Sequence, residues 1–205
     1  MIVKTPSLEE KRAIARLKQG DLCGMELLVE QHQVRAVYAA FLIVRDEKLA
    51  EDIVHDAFVR AAEKIGQFDE SRPFGAWFLR SVINASVKAA RRQKRFVPLD
   101  GEGIEGSSSV ADWLMDPDPS PELIVESEET CRMVWQALGA LTVEQRTVII
   151  MRHFLEMNDT EITRELDRPL TTVQWRLKAA RNRLRKILRS HWRPDRSAVE
   201  DENQR

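Results

Sequence analysis

The sequence predicts an all-α chain: two small helical domains joined by a flexible acidic linker. Three observations carry this. Apolar residues recur at helical spacing through most of the chain, and no convincing strand alternation interrupts them. Glycine and proline, eight of each, are sparse and cluster between the helical patterns. Charge is partitioned sharply along a chain whose net charge is only −1. From Phe74 to Val97 it is basic, with Arg80, Lys88, Arg91, Arg92, Lys94 and Arg95 and no acid. From Pro98 to Thr130 it carries ten acidic residues and no Lys or Arg. Blocks like these separate working parts.

The elements follow in order. Ser7 with Glu10 forms a capping box for a first helix, which Gly20 ends. Asp21 is placed to cap a second, running to about Phe41. A third spans about Lys48 to Gln67; Ala50, Ile53, Val54, Ala57, Phe58, Ala61 and Ile65 fall on its core face. A loop from Gln67 to Pro73 leads to a fourth helix, Phe74 to about Arg95. Gly101, Gly103, Gly106, Ser107 to Ser109 and the run Asp116-Pro117-Asp118-Pro119-Ser120-Pro121 make the linker. Trp113, Leu114 and Met115 add apolar bulk that a mere spacer does not need. Helical spacing resumes near Pro121, with Val134, Leu138 and Leu141 on one helix. Thr142 to Glu144 resembles a cap, and Val148, Ile149 and Leu155 continue the core.

Residues Asp159 to Arg185 are the most informative. A short amphipathic helix runs to Leu166, Asp167-Arg168-Pro169 make a tight turn, and a very basic helix follows. This is a helix-turn-helix pattern, whose second helix enters the DNA major groove. Between Val173 and Arg193 there are eight Lys or Arg residues and no acid, the charge a phosphate backbone requires. Val173, Leu177, Ala180, Leu184 and Ile187 share a face directed at Ile162 and Leu166. The opposite face presents Thr172, Trp175, Arg176, Ala179 and Arg183, with Gln174 and Lys178 beside it. Gln can read adenine and Arg guanine through paired hydrogen bonds.

Two further constellations stand out. The fourth helix mixes Phe74, Trp77, Phe78, Arg80, Asn84, Lys88, Arg91 and Arg92; aromatics beside cations can hold unpaired bases. Trp77 and Phe78 are expected in the core or in mixed duty, with Asn84 and the downstream arginines in direct DNA contact. On the third helix Asp52, His55, Asp56 and Val59 lie opposite the core. A carboxylate and His at this spacing invite a metal, but the second such motif that a helical metal site needs is missing. A protein-docking face is the sharper reading. Composition narrows the class further. No apolar run approaches the roughly 20 residues of a membrane span, and MIVKTPSLEEKR has no signal-peptide features. Cys23 and Cys131 are expected as reduced thiols in the cytoplasm. No metal or cofactor is expected.

The order of these segments resembles the sigma-70 family of RNA polymerase sigma factors, in the compact extracytoplasmic-function (ECF) group. The stretch LVEQHQVRAVYAAFLIVRDEKLAEDIVHDAFVRAAEKIGQFDESRPFGAWFLRSVINASVKAARR is similar to sigma region 2. ALGALTVEQRTVIIMRHFLEMNDTEITRELDRPLTTVQWRLKAARNRLRKIL is similar to sigma region 4. The resemblance implies a region 2 domain over 1–95, a linker over 96–128, a region 4 domain over 129–193 and a polar tail over 194–205. It implies no enzyme activity and two macromolecular partners: core RNA polymerase, through its beta-prime clamp helices and beta flap, and promoter DNA. An anti-sigma factor is a common further partner in the group.

Site residues follow from the resemblance. Asp52, His55, Asp56 and Val59 fall on the polymerase-docking positions, where the family usually has Gln-Glu in place of His55-Asp56. Gln67, Phe68, Asp69, Arg72, Trp77, Arg80, Asn84, Lys88, Arg91 and Arg92 match the segment that takes the minus-ten element and supports melting. Thr171, Thr172, Gln174, Trp175, Arg176, Lys178, Arg181 and Arg183 match the reader of the minus-thirty-five element. Thr171 stands where Gly is usual, Trp175 where Ser is often found, and Ala179 where Arg is. In the family the acidic linker threads through the polymerase cleft, where carboxylates mimic nucleic acid. The chief rival is a stand-alone helix-turn-helix regulator, which leaves the Asp52/His55/Asp56 face and the linker unexplained.

Overall fold

The computed structural model describes residues 7–96 and 121–191, without the side chains of 94–96, 121–129, 190 and 191. The Trp113-Leu114-Met115 anchor, the glycine-rich linker and the polar tail lie outside the described residues. Among the described residues the chain is α-helical with no strand. The first half comprises α1 (Leu8–Lys18), α2 (Gly24–Val44), α3 (Glu47–Lys64), a single 3-10 turn (Ile65–Gln67) and α4 (Phe74–Phe96). The second comprises α5 (Pro121–Gly139), α6 (Val143–His153), α7 (Asp159–Leu166) and α8 (Leu170–His191).

Local chemistry starts and stops these helices. Ser7 caps α1, its hydroxyl accepting from Glu10 N at 3.0 Å. Glu10 does not complete the box: it is buried and faces the His32 ring at 3.5 Å. Gly20, at φ +87, turns the chain after α1. Asp21 is not the cap of α2, which begins three residues later. Its carboxylate instead accepts from Cys23 N at 3.0 Å and from Arg16 Nε at 2.7 Å, closing a local turn. Asp46 caps α3 through Leu49 N at 2.9 Å.

Helix α2 is the axis of the first half. Residues 36–44 are buried on every side, because α1, α3 and α4 of the first half and α6 of the second surround it. A helix enclosed like this has no polar face to keep, which accounts for the run AVYAAFLIV. All seven core positions expected on the third helix are buried, six on α3 and the last, Ile65, in the 3-10 turn that follows it. Phe58, Phe74 and Phe78 stack beneath α4 with centroids 4.2 and 5.8 Å apart.

In the second half, Thr142 caps α6 in a reciprocal box with Gln145, and Asn158 does the same for α7 with Glu161. The turn after α7 is made by Asp167 in the left-handed region, φ 49. Leu138, Leu141, Val148, Ile149 and Leu155 are buried as expected. Val134 is not: it is 44% exposed, and Trp135 beside it is 5% exposed. One residue is about 100° of helix rotation, and the bulkier ring takes the inward position.

The halves pack directly on each other. Trp135 stacks on Phe41 at 4.6 Å, with the Arg45 guanidinium carbon 4.6 Å from its ring centre. Gly139 gives Arg45 its room, since a Cβ there would strike the guanidinium. Tyr38 meets Phe154 at 4.9 Å. The buried Arg146 donates Nη1–H to Ile43 O at 3.0 Å, meeting a carbonyl that the end of α2 leaves open. Burial, and then the nearby Arg45 charge, push Arg146 down to about 10, so it remains cationic at neutral pH. No helix among the described residues is long and apolar enough to cross a membrane.

Candidate nucleic-acid and protein-docking surfaces

Three surfaces carry the candidate residues. The first is the outer face of α3. Asp52, His55, Asp56 and Val59 are all exposed, Val59 by 48%. Their spacing puts them on one side, and Ile53, Val54, Ala57 and Phe58 on the other face the core. None of the three polar side chains is in an ion pair among the described residues, so the face is open.

The second is the loop before α4 and the outer side of α4. Gln67, Asp69 and Arg72 are exposed. Asp69 accepts from Ser71 N at 3.0 Å and faces Arg72 at 3.5 Å. The Ser71 hydrogen bonds, with Arg72 and Lys18 nearby, hold its carboxyl below the usual range. Phe68 departs from the expected set: it is 4% exposed. Its ring packs between Phe74 and Trp77, at 5.7 and 5.1 Å, because an exposed phenyl ring loses more than a buried one. It supports the loop from beneath. Trp77 is half-buried against Phe68 and Phe74. Lys18, which sequence reasoning missed, ties the loop down by donating to Phe68 O at 3.0 Å and Glu70 at 2.6 Å. Only the tertiary fold brings it there from α1.

Asn84 and Lys88 are exposed on α4. Arg80 and Arg91 are also on that side but face acids of the second half: Arg80 lies 3.6 Å from Glu165 and Arg91 3.0 Å from Glu144. Burial pushes Glu144 up. Its backbone hydrogen bond and the charges of Arg91 and Arg176 outweigh this and hold it below the ordinary range. Burial raises Glu165, against the pull of Arg80.

The third surface is the helix-turn-helix. Ile162, Val173, Leu177 and Ala180 are buried together and fix α8 on α7. Leu184 packs at the edge of that core. Thr171, Gln174, Trp175, Lys178, Arg181 and Arg183 are exposed, Trp175 by 66%. Thr172 and Arg176 are half-buried. Arg176 points to the first half, lining a cleft of about 380 Å³ with Asn84, Lys88, Arg91 and Arg92. The structure thus gathers side chains from both expected DNA-contacting sets around one concavity.

A helix-turn-helix with a cationic, acid-free second helix defines a DNA-binding protein, and α3 presents a separate open face. Comparison with known proteins makes the class specific. The family model for sigma-70 region 2 matches residues 28–96, and that for sigma-70 region 4 matches residues 131–184. The ECF RNA polymerase sigma factor SigW of Bacillus subtilis is 32% identical over 185 residues, 87% of this chain and 96% of the relative. The ECF RNA polymerase sigma-E factor of Escherichia coli K12 is 26% identical, covering 85% of this chain and 91% of its own length. The solved structure of CnrH in complex with the cytosolic domain of CnrY superposes with a TM-score of 0.60 at 24% identity, covering 89% of this chain and 98% of that one. The chain belongs to the sigma-70 family of RNA polymerase sigma factors, in the ECF group.

Proposed function

We propose that this chain binds core RNA polymerase through the α3 face, reads the minus-thirty-five element with α8, and takes the minus-ten element with the 67–73 loop and α4. The observation that carries the reading is the presence of both family regions in order on one chain, each with an exposed face of fitting chemistry. The working division is a region 2 unit over 1–95, a linker over 96–128, a region 4 unit over 129–193 and a tail over 194–205. The protein acts in the cytoplasm and performs no covalent chemistry. Opening of the duplex is thermodynamic: captured bases offset lost stacking, a few kcal/mol per flipped base. An anti-sigma factor is a further partner, as NepR is for the sigma factor RpoE of Bartonella quintana. The direct test is in vitro transcription with core polymerase on genomic fragments, with start sites mapped. Specific duplex binding by the free chain, without polymerase-dependent starts, would favour the stand-alone regulator.

Upstream readout has its own expected result. Arg176→Ala should lower promoter use by about 1–3 kcal/mol and relax specificity at one position. Lys186→Ala, exposed further along α8, should weaken binding evenly across sequences by losing a phosphate contact. Equal losses for both variants on every promoter would sink the split between readout and positioning.

Melting is tested at Asn84, exposed one turn after Arg80. In this reading its amide hydrogen-bonds an unpaired base while the neighbouring cations hold phosphates. Asn84→Ala should leave polymerase binding nearly intact and reduce open-complex formation. A pre-melted bubble template should partly restore it, because the unpairing cost is already met. Permanganate footprinting of unpaired thymines reads this. Normal opening of duplex templates by the variant would move the burden to the loop.

A further inference from the structure

The cleft between the halves brings together, in the free chain, cations that the transcription reading uses on two separate surfaces. Lys88, Arg91 and Arg92 of α4 form one wall; Arg168 of the turn and Arg176 of α8 form the other, and among the described residues Glu144 is the only acid on the lining. Glu144 is already engaged, by Arg91 at 3.0 Å. Lys88, Arg92 and Arg168 have no carboxylate partner among the described residues, and Arg176 shares Glu144 only through its field. Lys88, Arg91, Arg92 and Arg168 are exposed and Arg176 is half-buried, so the cations stay within reach of an anion from solvent. The packed halves therefore gather cations that no carboxylate among the described residues pairs with, Arg91 excepted.

The volume, about 380 Å³, suits a small ligand rather than a duplex. Arginine forks and a lysine ammonium on facing walls match closely spaced phosphoryl oxygens. Val87 and Leu166 add an apolar strip beside them. We propose that in the closed chain this cleft binds a small oligophosphate, either free or as the phosphate chain of a nucleotide. The two walls come from different halves, so the site is complete only while the halves are packed together. By linkage, a ligand that needs both walls favours the closed arrangement. It also occupies Asn84 and Arg176, which line the same cleft. The site stands on the free chain and does not depend on the promoter contacts proposed above.

Isothermal titration calorimetry of the full free chain, at fixed ionic strength, tests this with sodium tripolyphosphate, ATP and inorganic phosphate. Saturable binding of one tripolyphosphate per chain is expected, with inorganic phosphate at least about tenfold weaker. Arg92→Ala and Arg168→Ala, one on each wall, should each weaken tripolyphosphate about tenfold. Lys11→Ala, exposed on α1, should change nothing. Trp135→Ala lies outside the cleft but loosens the halves, and should also weaken binding; a basic patch on α4 alone would not respond to it. ATP matching tripolyphosphate assigns the phosphate chain as the ligand; ATP binding more tightly assigns a nucleotide seated on Val87 and Leu166. Absence of saturation, equal affinity for inorganic phosphate, or the same loss with Lys11→Ala as with Arg168→Ala would overturn the proposal.

Discussion

Trp135→Ala is expected to cost the chain about 3–5 kcal/mol of stability, the usual range for truncating a buried aromatic to alanine. The ring is 5% exposed and joins the halves, stacked on Phe41 at 4.6 Å and covered by Arg45 at 4.6 Å. Alanine leaves a cavity and strips the Arg45 guanidinium of its ring, while Arg45 Nε already lacks a hydrogen-bond partner. The cation–π contact alone is worth about 0.5–1 kcal/mol or more. Urea unfolding measures the total, with Trp175→Ala as comparator. That ring is 66% exposed on α8, and its loss should cost within about 0.5 kcal/mol. Similar losses at the two tryptophans would mean that Trp135 does not clamp the halves.

Charge reversal on α3 should have the second large effect, on binding rather than folding. Asp52 and Asp56 are exposed and unpaired, so Asp52→Lys/Asp56→Lys should leave the unfolding midpoint close to wild type. Like charges across a docked interface cost several kcal/mol, so affinity for core polymerase should fall by about a hundredfold or more. Titration of labelled protein with core polymerase, followed by fluorescence anisotropy, reads the change. A folded double variant that binds polymerase at wild-type strength would remove this face from docking. A variant that also unfolds more easily would show instead that the two carboxylates serve α3 itself.

Much of the architecture was legible because it is written locally. Period and punctuation placed the helices, and every residue named for the core face of the third helix is buried, although Ile65 lies in the 3-10 turn beyond α3. The helix-turn-helix was legible for the same reason: Leu166, Pro169 and the 3.6-residue spacing of Val173, Leu177 and Ala180 lie within one short stretch. Where local cues competed, the sequence reading slipped. Asp21 has the chemistry of a helix cap but closes a turn with Cys23 and Arg16. Val134 and Trp135 both suit an inward position, and only packing against Phe41 chose between them.

The sequence by itself determined the all-α class and the exposed face of α3, since each follows from side-chain spacing along a helix; the order of the two regions came from the family resemblance, and on α8 the fold left Thr172, Arg176 and Ala179 half-buried. The tertiary structure alone decided how the halves meet. It buried Phe68, brought Lys18 to the loop, set Arg146 on the open carbonyl of Ile43, and turned Arg80 and Arg91 toward Glu165 and Glu144. These pairings join residues far apart in the chain. Their strength depends on distance and dielectric, which no periodicity encodes.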